Sequence, residues 1–344
     1  MFSTEQLNLL WLECSQDAGF LSELRDGLDR IYRSLGYQQW LKQDSRTPFV
    51  LSPDEGKSES KWLERAGLLQ EGRLLVKVNR IGERLFMTDG AWVSHVLRVF
   101  PDPDESLLLI DHAQKRGLHE WARWLIDPAA GCGHTPIGFP GQVRRVSCDA
   151  NARAILYARV NARLNGLGPE QFTALLNDMT EGFPPSVRPD GNVLFLSNVP
   201  FAPSPRKGAL ALNSAGGSTG ADLQAASFRL VRRFHAEHKL PVRACFLTWT
   251  VGSLEKDVWE VPELCREVFS GHDVRWSIVQ HDYDAPELPN PAPLADTLRY
   301  LASSQYAVKP GEQGVEKAYD ELSRELVAQG HTHVAYGMLE LDLS

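Results

Sequence analysis

Four strand-like runs in the middle of the chain end in residues able to bind or orient a polar ligand. WARWLID (121–127) ends at Asp127 and continues into Pro128-Ala129-Ala130-Gly131-Cys132-Gly133. VRRVSCD (143–149) ends at Asp149, followed by Ala150. QFTALLND (171–178) ends in Asn177-Asp178. NVLFLSN (192–198) ends at Asn198, and Val199-Pro200-Phe201 follows, placing an amide, a proline and an aromatic ring where a strand runs out. Gly131 and Gly133 let the backbone turn tightly and approach a ligand where a side chain would collide. The stretch is not G-x-G-x-x-G: Pro136 stands where the third glycine would be, which disfavours a dinucleotide pyrophosphate. Asp127 also repels an anion and suits an ammonium group.

Asp149 lies 149 − 131 = 18 residues after Gly131, and a carboxylate at about that separation can accept hydrogen bonds from both ribose hydroxyls. Asn177 and Asp178 can accept from an adenine amino group. Taken singly, each Asp is a cap or turn residue. Taken together, in this order, the set sketches an adenosine with a cationic amino-acid tail, S-adenosylmethionine. Asp127, Ala129, Gly131, Gly133, Asp149, Ala150, Asn177, Asp178 and Asn198 are its expected contacts.

The elements that position these residues follow from periodicity. Leu21, Leu24, Leu28, Ile31 and Leu35 mark one helix face, with Gly36 as its expected stop. Residues 74–90 alternate like a hairpin. Residues 102–117 read as a helix with an acidic start and a basic end. From about 120, strands at 121–127, 143–149, 171–178, 192–198, 244–250, 273–280 and the C-terminal HVAYGMLELDL alternate with helices at 152–166, around 223–234, at ELCREVF, at LADTLRYLA and around 315–326. A proline-rich connection covers 285–293. This alternation predicts an α/β fold with a seven-stranded, mostly parallel, doubly wound sheet over 116–344, preceded by a helix-rich domain over 1–115.

Composition narrows the partners. The chain has 344 residues, 43% hydrophobic and 23% charged, enough for a sizeable core. A net charge of -8 argues against nucleic acid, whose binding rests on Lys and Arg neutralising phosphates. Arg229, Arg232, Arg233 and Lys239 read as a solvated helix face. Five cysteines without a CxxC pair read as reduced thiols. The N-terminus lacks signal-peptide features, and no apolar run reaches the roughly 18–20 residues of a membrane span. A cytoplasmic location is expected. The ten histidines are scattered, His331-x-His333 reads as strand-edge surface, and no metal site is expected.

From about 85 to 344 the chain resembles a class I S-adenosylmethionine-dependent methyltransferase, a Rossmann-like fold. DPAAGCG is similar to the family's first motif, D-x-G-x-G. SCDANARAILYARVNARLNGL is similar to the stretch that ends its second strand. SNVPF resembles the N-P-P-Y/F motif of the branch that methylates planar amide or amine nitrogens, such as release-factor glutamine and adenine N-methyltransferases. PDPDESLLLIDHA and AGGSTGADL resemble segments of the glutamine enzymes. The first 80 residues carry no such resemblance. The resemblance implies that the Asn198 and Val199 carbonyls accept hydrogen bonds from a target nitrogen while Phe201 packs on the target. Pro200 stiffens the turn, and Val199 stands where the family has its first proline. The resemblance thus implies an N-methyltransferase acting on a small molecule or a protein amine or amide. Residues 1–115 are expected to cover the pocket and choose the acceptor.

Two other readings share the ligand. In one, Asn198 holds the cofactor's own α-amino group, and ring closure gives azetidine-2-carboxylate and methylthioadenosine. In the other, the protein is a non-catalytic S-adenosylmethionine-binding subunit.

Overall fold

Ser3 opens the chain's first helix by accepting from the Gln6 backbone N–H, while the Gln6 side chain accepts from the Ser3 N–H. The computed structural model describes residues 2–43, 47–51, 60–93, 95–206, 209–279, 289–304 and 312–344. Helix α1 (Thr4–Gln16) hands over to α2 (Ala18–Arg33), capped by Asp17. The predicted face of α2 is buried at Leu24, Leu28 and Ile31. Gly36 does not stop it. Ser34 adopts extended geometry, ends α2 and accepts from the Tyr37 N–H, so Gly36 lies inside α3 (Leu35–Gln43). A side-chain acceptor overrode the glycine signal.

Helix α4 (Ser60–Arg65) and strands β1 (Leu69–Gln70) and β2 (Arg73–Leu74) precede the expected hairpin, β3 (Lys77–Ile81) and β4 (Arg84–Thr88). The acidic-start helix is α5 (Asp104–Lys115). A short α6 (Leu118–Trp121) takes the first residue of the expected 121–127 strand, leaving β5 as Trp124–Asp127. Then come α7 (His134–Gly138), β6 (Arg144–Asp149), α8 (Ala152–Leu164), β7 (Phe172–Leu176), β8 (Val193–Ser197), α9 (Asp222–His238) and β9 (Val242–Ser253). The chain finishes with β10 (Val258–Trp259), α10 (Glu260–Val268), β11 (Val274–Ile278), β12 (Ala292–Pro293), α11 (Leu294–Ser303), α12 (Gln313–Ala328) and β13 (His333–Asp342). The proline-rich connection and the end of the 273–280 strand lie partly outside the described residues.

The sheet runs β7-β6-β5-β8-β9-β13-β11. Strands β5 to β9 pair in parallel, and β13 is antiparallel to both β9 and β11. Seven strands form this path as expected; β10 and β12 add two short antiparallel pairings, making nine. Trp124, Ile126, Val193 and Phe195 face one layer with Phe228 and Phe234 of α9. Leu125, Leu194 and Leu196 face the other, with Leu109 and Ile110 of α5 and Ile155 of α8. Burial on both faces is what a parallel sheet requires. Successive strands move from β5 to β7 in one direction and from β8 in the other, so the order reverses between β5 and β8. A crevice beyond the carboxyl ends is expected there.

The N-terminal part is not a separate layer. Leu7, Leu10, Leu24 and Leu28 share one core with Tyr157, Val160 and Leu164 of α8. Two asparagines on α8 join the hairpin to it. Asn161 exchanges hydrogen bonds with the Met87 backbone at 2.8 and 3.0 Å, and Asn165 with Leu85 at 2.9 and 2.7 Å. Four helical residues rise about 6 Å and two strand residues about 7 Å, so an i,i+4 pair of amides can serve as the missing neighbour of an edge strand.

Candidate active site

At that reversal lies a cleft of about 230 Å³. Each of the four strand-end groups contributes to its wall: Asp127, Ala129 and Gly131; Asp149 and Ala150; Asn177 and Asp178; and Asn198, Val199, Pro200 and Phe201. Gly133 does not line it. It caps α7 at φ +89°, and a Cβ there would come within 2.7 Å of Ile137 Cδ1 and 3.5 Å of Ala158. Its smallness serves helix packing, not ligand approach.

Asp127 is 1% exposed and accepts the Ala129 N–H at 3.1 Å. Burial pushes its carboxyl up to about 8; the Ala129 bond opposes this and the Asp149 charge adds to it. Asp149 accepts the Gly131 N–H on Oδ2 and the Asn151 N–H on Oδ1, both at 2.8 Å. Burial raises it to about 6 against these two bonds. The bonds fix its carboxylate and leave further lone pairs for ligand hydroxyls. Asn177 donates to the Gly182 carbonyl at 2.9 Å, keeping its own carbonyl as an acceptor. Asp178 is exposed and accepts from the Thr180 N–H and hydroxyl, the turn its residue type favours.

Asn198 directly follows β8. Its Nδ2 donates to Glu105 Oε2 at 2.9 Å, and its Oδ1 is buried without a hydrogen-bond partner. Val199 is buried with Met179, Ala226 and Leu230, so its branched chain fills an apolar contact. Phe201 packs edge-on to Trp249 and to Tyr336, each at 5.8 Å between centroids. The glycine-rich turn holds this segment. The Ala202 N–H donates to the Ser214 carbonyl and the Gly216 N–H to the Ala202 carbonyl, both at 2.9 Å, and a Cβ on Gly220 would lie 2.1 Å from the Phe201 carbonyl oxygen.

The segment 95–102 forms a strap along the cleft, with Arg98, Val99 and Phe100 on its wall. Asn151 Nδ2 donates to the Leu97 carbonyl at 2.9 Å, and the Val99 N–H donates to Asp89 at 2.9 Å. Across from it, Leu212, Asn213 and Ser214 line the cleft, and the Leu212 N–H bonds the Val96 carbonyl at 2.8 Å.

Two cleft residues had no functional signal of their own. Glu105, in the first turn of α5, reads from sequence as a helix-start carboxylate. His134 is 5% exposed, stacks edge-on against Phe86 at 4.9 Å, and has a buried Nε2 with no partner. Burial, with Lys77 adding, pushes it down to about 3, so its imidazole is neutral. Among the described residues no group of His, Cys, Asp and Glu could hold a metal ion, and no helix is long and apolar enough to cross a membrane.

No protein-family model matches the chain, and no curated protein does. Among solved structures, a phosphoethanolamine N-methyltransferase of Haemonchus contortus is similar at 10% identity and TM-score 0.38, covering 71% of this chain. This chain spans about half of that enzyme's length, 54%. A geranyl diphosphate C-methyltransferase from Streptomyces coelicolor is similar at 14% identity and TM-score 0.37, with 71% and 77% of the two chains covered. The [4+2]-cyclase SpnF is similar at 12% identity and TM-score 0.40, with 68% and 79% covered.

Proposed function

We propose that this chain is an S-adenosylmethionine-dependent N-methyltransferase acting on an amine or amide of a small molecule or protein. The observation that carries the reading is the meeting of Asp127, Asp149 and the unpartnered Asn198 carbonyl oxygen in one cleft at the point where the strand order reverses. The residues present fit the nucleoside. Asp149, fixed by two backbone N–H groups, accepts ribose hydroxyls. Asp127 receives the ammonium of the amino-acid tail. Met179 and the Asn177 carbonyl border the adenine. When bound, S-adenosylmethionine supplies a methyl group on a positively charged sulfur.

The chain's own part is orientation. Asn198 Oδ1 and the Val199 carbonyl accept N–H bonds from the target nitrogen and so direct its lone pair. Phe201, held by Trp249 and Tyr336, gives the target a fixed face. Holding a nucleophile about 3–3.5 Å from its target in line supplies a large part of a barrier reduction. The strap and the 212–214 segment supply facing parts of the cleft wall.

The cover formed by Arg98–Phe100 and Leu212–Ser214 favours one second reading, in which the amine held by Asn198 is the cofactor's own and ring closure yields azetidine-2-carboxylate and methylthioadenosine. One incubation of the purified protein with S-adenosylmethionine, followed by mass spectrometry, separates the readings. S-adenosylhomocysteine formed only with an added amine or amide pool supports methyl transfer. Methylthioadenosine without an acceptor supports ring closure. Bound but unaltered cofactor in every arm supports a non-catalytic binding subunit and rules against both.

A further inference from the structure

Glu105 orients the amide of Asn198. Its Oε2 takes the Nδ2 hydrogen at 2.9 Å, so the carbonyl oxygen is the atom left for a ligand. A neutral glutamine carbonyl would orient Asn198 equally well. The chain instead places a carboxylate on the wall of the cleft, where desolvation opposes its charge. Burial raises it to about 7; the Asn198 bond opposes this, and Asp104 and Asp102 add to it.

A charge so placed calls for a cationic partner, and the neighbouring groups do not form an ion pair with it. Lys77 pairs with Asp102. Arg98 turns Nη1 toward the Ala91 and Val93 carbonyls. On α7, His134 is neutral, and at the end of β5, Asp127 is acidic.

We propose that Glu105 and Asn198 together form a receptor for a protonated amine, so that the acceptor is an alkylamine entering as its ammonium, not a neutral carboxamide or nucleobase. The proposal rests on the reading of this cleft as a methyl-transfer site. The carbonyl of Asn198 accepts one N–H and Glu105 balances the charge. Before the nitrogen can act as a nucleophile, one N–H bond breaks with its electron pair left on nitrogen, and the proton passes to the Glu105 carboxylate.

Sinefungin and S-adenosylhomocysteine test this directly. Sinefungin carries an amine on the carbon that replaces sulfur, where the methyl group would project; S-adenosylhomocysteine has nothing there. By titration calorimetry at about pH 8, the wild-type protein should bind sinefungin roughly tenfold or more tighter, the scale of a charge-assisted hydrogen bond. Glu105→Gln, which keeps an acceptor for Asn198, should erase that preference and leave S-adenosylhomocysteine affinity unchanged. Lowering the pH to about 6 should shrink the wild-type preference but not alter the variant's. Protonation of Asp127 or Asp149 affects both nucleosides alike, so the ratio isolates Glu105. Equal binding of the two by the wild-type protein, or an undiminished preference in Glu105→Gln, overturns the proposal alone. Binding of neither overturns the reading of the cleft and this proposal with it.

Discussion

Asp127 and Asp149 lie near the midpoint of their ionisation at neutral pH because the fold buries them, Asp127 rising to about 8 and Asp149 to about 6. An ammonium ligand favours ionised Asp127, so S-adenosylmethionine should bind more tightly as pH rises from about 6 to about 7.5. Calorimetry in buffers of different ionisation heat should register proton release. Stability has the opposite sign. Both folded values exceed the unfolded value of about 3.9, so the folded state holds more protons. The free protein should therefore lose stability as pH climbs from about 4 to about 8, and bound ligand should offset the loss. A melting temperature of the free protein that increases over that window would contradict this. Side-chain deletions separate binding from turnover. Asp149→Ala should weaken cofactor binding by about 1–3 kcal/mol, the cost of unpaired hydroxyls, whereas Asn198→Ala should leave binding intact and cut turnover by about 100-fold through misplacement of the nucleophile.

At the scale of elements, the strands that end at Asp127 and Asn198 were legible because each is a short apolar run closed by a polar residue. Glycine signals were less faithful. Gly166 and Gly330 follow the ends of helices α8 and α12 at φ +72° and +93°, whereas Gly36 continues a helix because Ser34 supplies the cap. Helix α7 was not expected, since His134-Thr135-Pro136 carries little helical periodicity over five residues. Glu105 could not be assigned to the site because 93 residues separate it from Asn198, and only the packing of α5 beside β9 brings the two together. The glycine-rich turn after β8 has a stricter demand than sequence conveyed. Gly220 combines φ +88° with a Cβ position 2.1 Å from the Phe201 carbonyl. Gly220→Ala should cost about 1–3 kcal/mol or more in urea unfolding and lower turnover by shifting Phe201. Gly166→Ala, where a Cβ meets nothing within 4 Å, should cost about 1 kcal/mol and leave turnover unchanged.

On the scale of the whole molecule, ion pairs join the N-terminal residues to the cleft, Lys77 with Asp102 and, fully buried, Asp89 with Arg153. Asp89, just past β4, is 0% exposed and Arg153, on α8, is 4% exposed. Arg153 donates to both Asp89 oxygens, through Nε at 2.8 Å and through Nη2, and the Tyr157 hydroxyl donates at 3.0 Å. The same carboxylate accepts the Val99 N–H, one of the backbone anchors of the strap. Hairpin, sheet helix and strap therefore meet on a single side chain. Sequence reading could not find this, because residues 89, 99 and 153 belong to three elements and no motif joins them. Removing one partner of a buried pair strands the other charge, which costs about 3–5 kcal/mol. Asp89→Asn should therefore lower the unfolding free energy by that amount in a urea titration and weaken S-adenosylmethionine binding, because Val99 loses a charged acceptor. Lys115→Ala, which breaks the exposed pair with Asp111, should change neither. If Asp89→Asn lost stability but kept full affinity, the Asp89–Val99 bond would have no part in binding, and the hairpin would hold the strap through its other contacts, Asn79 and Thr88 with the Pro101 carbonyl and Lys77 with Asp102.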